Sequence, residues 1–320
     1  MNKSCLYCYE LLPADAATDF HEHCSETFFG MREMPELDYS LDDMALLAKQ
    51  IVKRSIAVPG VQPKLSLTLV MDTKADGNHN RLTVVGALGG NYIFKPPSAY
   101  YPEMPQNEHV TMRMAEALGI PVVPSSLIRL KTGELCYITK RIDRTDKGDK
   151  IHMLDMFQLL EAVDKYKSSM EKIGKCIDTF SDNTLLDKLY FFEIAVFSFL
   201  TGNNDMHLKN FSLIHDNGTW HLSPAYDLLN VMLANPKDTE ELALTLEGKK
   251  KKLRREHFER LGIGLDLTER QIKSSLLRFE KSYAVAIEWI DKSFLSEEFK
   301  EQFKAILNTR YSLMAGKDFE

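Results

Sequence analysis

The loop between residues 202 and 210 is rich in side chains that can do chemistry. Its sequence is GNNDMHLKN, and Asp227 follows it in the run SPAYD. A carboxylate at Asp205 can orient an attacking hydroxyl, while the amide of Asn210 and the carboxylate of Asp227 can bind Mg²⁺ against nucleotide phosphates. Turn chemistry would explain any one of these residues, but it does not explain all three at this spacing. The loop is therefore predicted to be catalytic in phosphoryl transfer.

The elements that must position this loop can be predicted from its flanks. Residues 185–200 form a strongly apolar segment, which indicates a buried helix. Residues 211–215 and 219–222 alternate around the turn DNG, which favours a hairpin. The loop is thus expected to lie between a core helix and a hairpin, with Asp227 just past the second strand.

The upstream half contains a candidate phosphate-binding loop. Residues 55–64 read SIAVPGVQPK and precede the alternating segment LSLTLV, which predicts a strand. The loop is a weak match to a kinase glycine-rich loop, because Gly60 is its only glycine.

A lysine that could reach those phosphates follows on the next predicted strand. Lys95 ends the strand of residues 91–96, where its ammonium could act as a point charge; the alternative is a solvated strand end. Glu108 begins a predicted helix that runs to residue 118, and it could pair with Lys95 as strand lysines and helix glutamates do in kinases. Glu103 and Glu116 lie nearby as competing partners.

These segments occur in the order seen in a known family. They read SIAVPGVQPKLSL, IFKPP, NEHVTMRMAEALGI, RIDR, GNNDMHLKNF and SPAYDLL. The chain resembles HipA-type serine/threonine kinases, the toxins of HipBA and HipBST toxin–antitoxin modules, over about residues 50–314. It is most similar to the HipT subtype, which lacks the amino-terminal subdomain of HipA, because little chain precedes Ser55. In HipT systems a separate small protein, HipS, supplies that subdomain.

The resemblance implies ATP and Mg²⁺ as cofactors and assigns roles to individual residues. Asp205 would be the catalytic base, and Asn210 and Asp227 would bind Mg²⁺. The residues expected to contact or support the nucleotide are Gly60, Val61, Gln62, Lys95, Glu108, Lys140, Ile142 and His207.

The resemblance also implies that Ser55 is an autophosphorylation site. A phosphate there would add charge beside the nucleotide phosphates and pull the loop outward, which would switch the enzyme off. Val58 and Pro59 differ from the residues of many relatives, and Ala57 leaves Ser55 as the only hydroxyl of that stretch.

The expected architecture is an α+β, two-lobed protein-kinase-like fold. Residues 1–30 would form a Cys/His leader, residues 31–145 a strand-rich amino-terminal lobe, and residues 146–320 a helical carboxy-terminal lobe. Helices are predicted in the latter at 152–163, 184–201, 256–261, 268–291 and 296–314.

The family further implies a toxin that phosphorylates a host protein, an aminoacyl-tRNA synthetase, and so stalls translation. Its partners would be a HipB-like DNA-binding antitoxin and a small HipS-like protein, with DNA reached only through the antitoxin. Two alternatives stay open. The first is a HipA-like kinase acting outside any toxin–antitoxin module, as an effector. The second is a kinase-shaped protein that binds but does not catalyse.

The first 30 residues hold a separate cluster of metal-ligating side chains. Cys5, Cys8, His21 and Cys24 have the spacing C-x2-C-x12-H-x2-C, which is compatible with a small zinc site; His23 competes as the fourth ligand. The alternative is a reduced C-x2-C pair with buried histidines, or a remnant of such a module.

Composition favours a cytoplasmic enzyme. The 320 residues are enough for two lobes, and 44% are hydrophobic and 27% charged, as in ordinary folded proteins. No signal-like or membrane-length apolar run is present, so we expect no membrane association. Five cysteines, an odd number, favour a reducing compartment. A net charge of −6 argues against general nucleic-acid binding.

Overall fold

The computed structural model describes residues 3–54, 64–74, 77–85, 89–145 and 147–317. The chain divides into two compact units. The first comprises Met1–His109, Val123–Lys150 and Lys292–Phe294, and the second comprises Val110–Val122, Ile151–Asp291 and Leu295–Glu320. The larger sheet belongs to the first unit and most helices belong to the second, which confirms the predicted α+β class.

The first unit is built on an antiparallel sheet of five strands in the order β2-β1-β3-β5-β4. The central strand is β3, whose last residue is Lys95. The elements of this unit are α1 (Glu22–Phe29), α2 (Leu41–Arg54), β1 (Leu65–Lys74), β2 (Gly77–Val85), β3 (Tyr92–Lys95), β4 (Ser125–Arg129) and β5 (Leu135–Lys140). Helix α3 (Met104–Ala117) follows β3, and the division between the units falls within it, after His109.

Helix α2 is capped by Ser40 and Asp43, which stand three residues apart in the sequence, the spacing of a capping box. The Ser40 backbone N–H donates to Asp43 Oδ2 over 2.8 Å, and the Asp43 N–H donates to Ser40 Oγ over 3.1 Å. These reciprocal bonds satisfy backbone donors that have no partner inside the helix.

The second unit packs its helices around α6 (Thr184–Leu200), in which Phe191, Phe192, Phe197 and Phe199 are fully buried or nearly so. A three-stranded antiparallel sheet lies in the same unit, in the order β6-β7-β8. In chain order the elements are β6 (His152–Asp155), α4 (Met156–Leu159), α5 (Met170–Phe180), α6, a 3-10 turn (Leu208–Asn210), β7 (Ser212–Asp216), β8 (Thr219–Leu222), α7 (Val231–Ala234), α8 (Arg255–Gly264), α9 (Glu269–Lys281), α10 (Tyr283–Lys292) and α11 (Glu297–Ala315).

Two helix predictions are wrong in detail. The predicted helix 152–163 is a strand followed by a single helical turn, because Asp155 caps that turn by accepting the Gln158 N–H over 2.8 Å. Glu161 then takes a left-handed φ of 47°, which ends the helical path. The predicted helix 268–291 is two helices, α9 and α10, separated at Ser282.

Within the described part of the chain, every helix is too short or too polar to cross a lipid bilayer.

Candidate active site

Lys95 and Glu108 form the ion pair that the sequence predicts. Lys95 Nζ lies 2.6 Å from Glu108 Oε1, and the two residues are 5% and 2% exposed. The ammonium also lies 5.3 Å from the ring centroid of Tyr137, which pairs with Lys95 across β3 and β5. A charge buried this deeply requires a partner of opposite sign. The ion pair therefore connects β3, which carries Lys95, to α3, which carries Glu108.

Glu108 does not open its helix, as the sequence suggested, but lies in the second turn of α3. The helix begins four residues earlier, at Met104, and accommodates Pro105 in its first turn. Proline is tolerated there because a first-turn N–H has no helical partner in any case. The earlier start leaves Glu108 well inside a rigid helix.

The other residues predicted to bind the nucleotide are partly described. Lys140 ends β5, with its ammonium 5.9 Å from the ring centroid of Phe28, and Ile142 lies half-buried in the turn that follows. Gly60, Val61, Gln62 and the predicted phosphorylation site Ser55 lie outside the described residues.

The turn after β5 is fixed by an arginine–aspartate cluster. Arg141 contacts both carboxylate oxygens of Asp143, at 2.9 and 2.7 Å, and Arg144 contacts Asp143 Oδ2 at 2.7 Å. Burial alone would raise the pKa of Asp143, but the two guanidinium groups outweigh it and lower that pKa. The RIDR run thus shapes the chain next to Lys140 and Ile142.

The loop 202–210 leaves α6 through Gly202, which has a left-handed φ of 68°. The loop is closed by Asn210, whose amide Nδ2 donates to the backbone oxygen of Asp205 over 2.9 Å. The His207 N–H donates to the same oxygen over 2.8 Å. This closure engages the amide nitrogen of Asn210, whereas a metal ion would bind the amide oxygen.

The carboxylate of Asp205 is half-buried and held by a residue to which the sequence gave no role. Its Oδ1 accepts the Tyr166 hydroxyl over 2.8 Å. Burial, followed by the hydrogen bond to Asp205, raises the pKa of Tyr166, so the phenol keeps its proton and remains a donor. Tyr166 therefore fixes the orientation of this carboxylate.

His207 is almost fully buried beside the same carboxylate. Burial lowers its pKa, the charge of Lys165 lowers it further, and the charges of Asp205 and Asp227 oppose the change. The neutral ring accepts the Lys165 ammonium, with Lys165 Nζ 2.7 Å from His207 Nε2. Lys165, like Tyr166, stands about 40 positions before the loop, and no spacing in the sequence connects them.

Asp227 lies close enough to His207 for its charge to act on the pKa of that ring. It adopts a left-handed φ of 60°. Such backbone geometry is uncommon for a residue with a Cβ, although aspartate tolerates it better than most. The preceding Tyr226 anchors the segment, because its hydroxyl lies 2.6 Å from Ser212 Oγ and donates to the Lys209 carbonyl over 3.0 Å. The segment of Asp227 is thereby tied to the loop of Asp205 and Asn210.

In the first unit, the cysteine–histidine leader also forms a cluster. One ligand atom from each of Cys5, Cys8, His21 and Cys24 lies within 4.8 Å of all the others. The four residues that the spacing C-x2-C-x12-H-x2-C predicts are therefore brought together in space.

Comparison with known proteins identifies a family and several relatives. Residues 56–287 match the model of the HipA-like C-terminal domain. A protein of Haemophilus influenzae with the name "Putative kinase" is 30% identical over 211 residues, or 62% of this chain. "Putative kinase Y4dM" of Sinorhizobium fredii is 32% identical over 248 residues, or 72% of this chain. The chain spans 59% of the length of each of these relatives.

A solved structure shares the fold. It is the complex of the Shewanella oneidensis MR-1 toxin–antitoxin system HipA and HipB with operator DNA, and its matching chain superposes with a TM-score of 0.67 at 20% identity. The match covers 96% of this chain and 75% of that one. Since the family model spans well over half of the 320 residues, the chain belongs to the HipA-like family, through its HipA-like C-terminal domain.

Proposed function

We propose that this protein is a serine/threonine kinase that transfers the γ-phosphate of ATP to a hydroxyl of a host protein. The observation that carries the proposal is the buried Lys95–Glu108 pair, 2.6 Å between charged atoms. A strand lysine held by a helix glutamate is how protein kinases present an ammonium to nucleotide phosphates. The names of the two relatives are in line with this chemistry.

Asp205, Asn210 and Asp227 would supply the base and the metal ligands. Asp205 would accept the proton of the attacking hydroxyl, because its carboxylate is held by Tyr166 and only half-buried. Asn210 and Asp227 offer hard oxygen ligands near one loop, a donor set that fits Mg²⁺. When bound there, Mg²⁺ would neutralise charge on the phosphates. Buried, neutral His207 would hold the Lys165 ammonium in place.

We further propose that the chain is a HipT-type toxin acting in the cytoplasm. Its partners would be a HipB-like DNA-binding antitoxin and a small HipS-like protein, and its substrate an aminoacyl-tRNA synthetase. Support comes from family membership and from the HipA–HipB–operator complex of a structural relative. The neighbouring reading frames separate this role from that of an effector kinase. A toxin should be encoded beside a helix-turn-helix protein and a small HipS-like protein, and an effector kinase should not.

The proposal is tested by labelling a host lysate with ATP that carries radioactive phosphorus at either the γ or the α position. We expect one host protein to be labelled from γ-labelled ATP and none from α-labelled ATP. Mass spectrometry should place the phosphate on a serine or threonine. Label arriving from the α position would indicate nucleotidyl transfer instead, and absence of label in both arms would contradict kinase activity.

Tyr166→Phe is expected to lower kcat about tenfold with the KM for ATP unchanged, since one hydrogen bond to a charged group is lost. The fall in kcat alone distinguishes loss of Asp205 orientation from loss of nucleotide binding. Tyr100→Phe, which removes a hydroxyl from a side chain that is 89% exposed, serves as the control. Equal kcat values for the two variants would show that Tyr166 does not position the base.

Autophosphorylation is expected at Ser55. Incubation with ATP and Mg²⁺ should add one phosphate, mapped to Ser55 by peptide mass spectrometry, and the rate of substrate phosphorylation should fall in parallel. Ser55→Ala should keep its initial rate. A phosphate on another residue, or an equal decline in the Ser55→Ala variant, would disprove this regulation.

A further inference from the structure

We infer that the leader of residues 3–30 is a zinc module, with Cys5, Cys8 and Cys24 as thiolate ligands and His21 as the imidazole ligand. We also infer that it braces the strand and the helix that carry Lys95 and Glu108. Zinc binding is independent of the kinase proposal, so the two can fail separately.

The distances within the cluster suit a tetrahedral zinc ion. Bonds of about 2.3 Å to sulfur and 2.0 Å to nitrogen place the two ligand atoms about 3.5 Å apart. His21 Nδ1 lies 3.4 Å from Cys8 Sγ and 3.9 Å from Cys24 Sγ. The whole set fits within 4.8 Å, so only small shifts are needed to reach bonding geometry.

The orientation of His21 identifies it as the fourth ligand. Its Nε2 lies 3.1 Å from the Leu11 carbonyl oxygen, to which only a protonated nitrogen can donate. With the proton on Nε2, Nδ1 presents its lone pair to the sulfur atoms. A histidine that binds a metal through one ring nitrogen commonly donates the N–H of the other nitrogen to a carbonyl oxygen, as Nε2 does here. His23 is exposed, and its ring stacks on the His21 ring with centroids 5.2 Å apart. Its Nε2 lies 3.3 Å from Cys24 Sγ, whereas His21 Nδ1 faces two sulfur atoms, those of Cys8 and Cys24.

The backbone supplies the ligands from two short elements, as small zinc modules do. Cys5 and Cys8 lie in a turn that is closed by the Tyr9 N–H donating to the Cys5 carbonyl over 2.9 Å, with Tyr9 at a φ of 67°. His21 and Cys24 lie at the start of α1. The His21 side chain makes no capping bond to α1, although it occupies the cap position. A disulfide would use two sulfur atoms and leave the orientation of His21 unexplained.

One side of the leader is attached to the sheet. The Leu6 carbonyl accepts the Leu127 N–H of β4 over 3.2 Å, and Asp19 accepts Arg129 Nε of the same strand over 3.1 Å. Phe28 of α1 packs on Tyr92, the first residue of β3, with ring centroids 5.9 Å apart. The leader thus contacts the strand that ends in Lys95.

The leader also reaches the helix that carries Glu108. The Tyr9 hydroxyl lies 2.8 Å from Nδ1 of His109, which is fully buried and directly follows Glu108. Tyr9 comes one residue after the ligand Cys8. Fixing the cysteine turn with zinc would therefore hold both β3 and α3, the two partners of the buried ion pair.

The first test measures metal content in the full chain, purified without a nickel column. We expect equimolar zinc in the wild type, in His23→Ala and in Cys176→Ser, which alters a buried thiol outside the cluster. Zinc should be lost from Cys8→Ser, Cys24→Ser and His21→Ala. A wild-type chain without zinc, or zinc retained by His21→Ala and lost from His23→Ala, would overturn the assignment.

Cobalt substitution keeps the test decisive if a ligand variant fails to fold. The wild type, stripped by a chelator and titrated with Co²⁺, should develop thiolate-to-cobalt charge transfer and the visible bands of tetrahedral coordination. Zinc should then displace cobalt and abolish both. Absence of these bands in a chain that remains folded and reduced would overturn the site.

Bracing is tested by hydrogen exchange with and without chelator. Metal removal should speed exchange in β3, in β4 and around His109, while α9 and α11 stay unchanged. We also expect the Tm of the first unit to fall by about 10 °C, given the binding energy of structural zinc. Faster exchange confined to residues 3–30 would show that the module does not support the ion pair.

Discussion

Lys95→Met is expected to lower the free energy of unfolding by about 3–5 kcal/mol, because it leaves the Glu108 carboxylate buried without its cation. The same variant should lose most of its phosphoryl-transfer activity, since no ammonium would remain to hold the nucleotide phosphates. Urea unfolding monitored in the first unit gives the stability, and initial rates at saturating ATP give the activity.

A double variant separates these two effects. Lys95→Met combined with Glu108→Leu removes both charges, so it should recover most of the lost stability while remaining inactive. Lys273 and Glu269 offer a matched surface pair, with charged atoms 3.0 Å apart and side chains 71% and 82% exposed. Lys273→Met should cost less than about 0.5 kcal/mol. Equal costs at Lys95 and Lys273, or activity in the double variant, would contradict the role of the buried pair.

Asp205→Asn is expected to reduce kcat by about 10³-fold, because the amide cannot accept the proton of the substrate hydroxyl. The fold should be retained, since the amide oxygen of asparagine can still accept the Tyr166 hydroxyl. Single-turnover phosphorylation of the labelled host protein measures the effect.

Asp216→Asn provides the control for Asp205→Asn. It makes the same change of charge at an exposed residue at the end of β7, beyond the loop. This variant should keep the wild-type kcat. A similar kcat in both variants would show that Asp205 is not the base, whereas loss of secondary structure in Asp205→Asn would assign it a structural role.

The elements that the sequence predicts correctly are those determined by local patterns. The apolar run before the loop forms α6, and the turn DNG joins β7 to β8 with left-handed φ at Asn217 and Gly218. The Ser40–Asp43 cap follows from a short, recognisable spacing. The Lys95–Glu108 pair is expected from the strand lysine and helix glutamate of kinases, and the structure selects Glu108 over Glu103 and Glu116. The prediction of a helix at 152–163 is wrong, because Asp155 caps a turn that begins only at Met156 and Glu161 leaves the helical conformation with a left-handed φ of 47°.

The contacts around Asp205 could not be predicted, because they join residues far apart in sequence. Tyr166 and Lys165 reach Asp205 and His207 from the segment before α5, and no periodicity marks them. The inference that His21 rather than His23 would bind zinc likewise draws on the position of the Leu11 carbonyl. Local spacing found the candidate groups, and three-dimensional packing showed how each one is held.

The most direct measurement is a crystal structure of the protein with Mg²⁺ and a non-hydrolysable ATP analogue. We expect the Lys95 ammonium against the phosphates, oxygens of Asn210 and Asp227 on Mg²⁺, and the Asp205 carboxylate beside the γ-phosphate. A nucleotide bound away from these four side chains, or Mg²⁺ held by other residues, would contradict the proposed kinase chemistry.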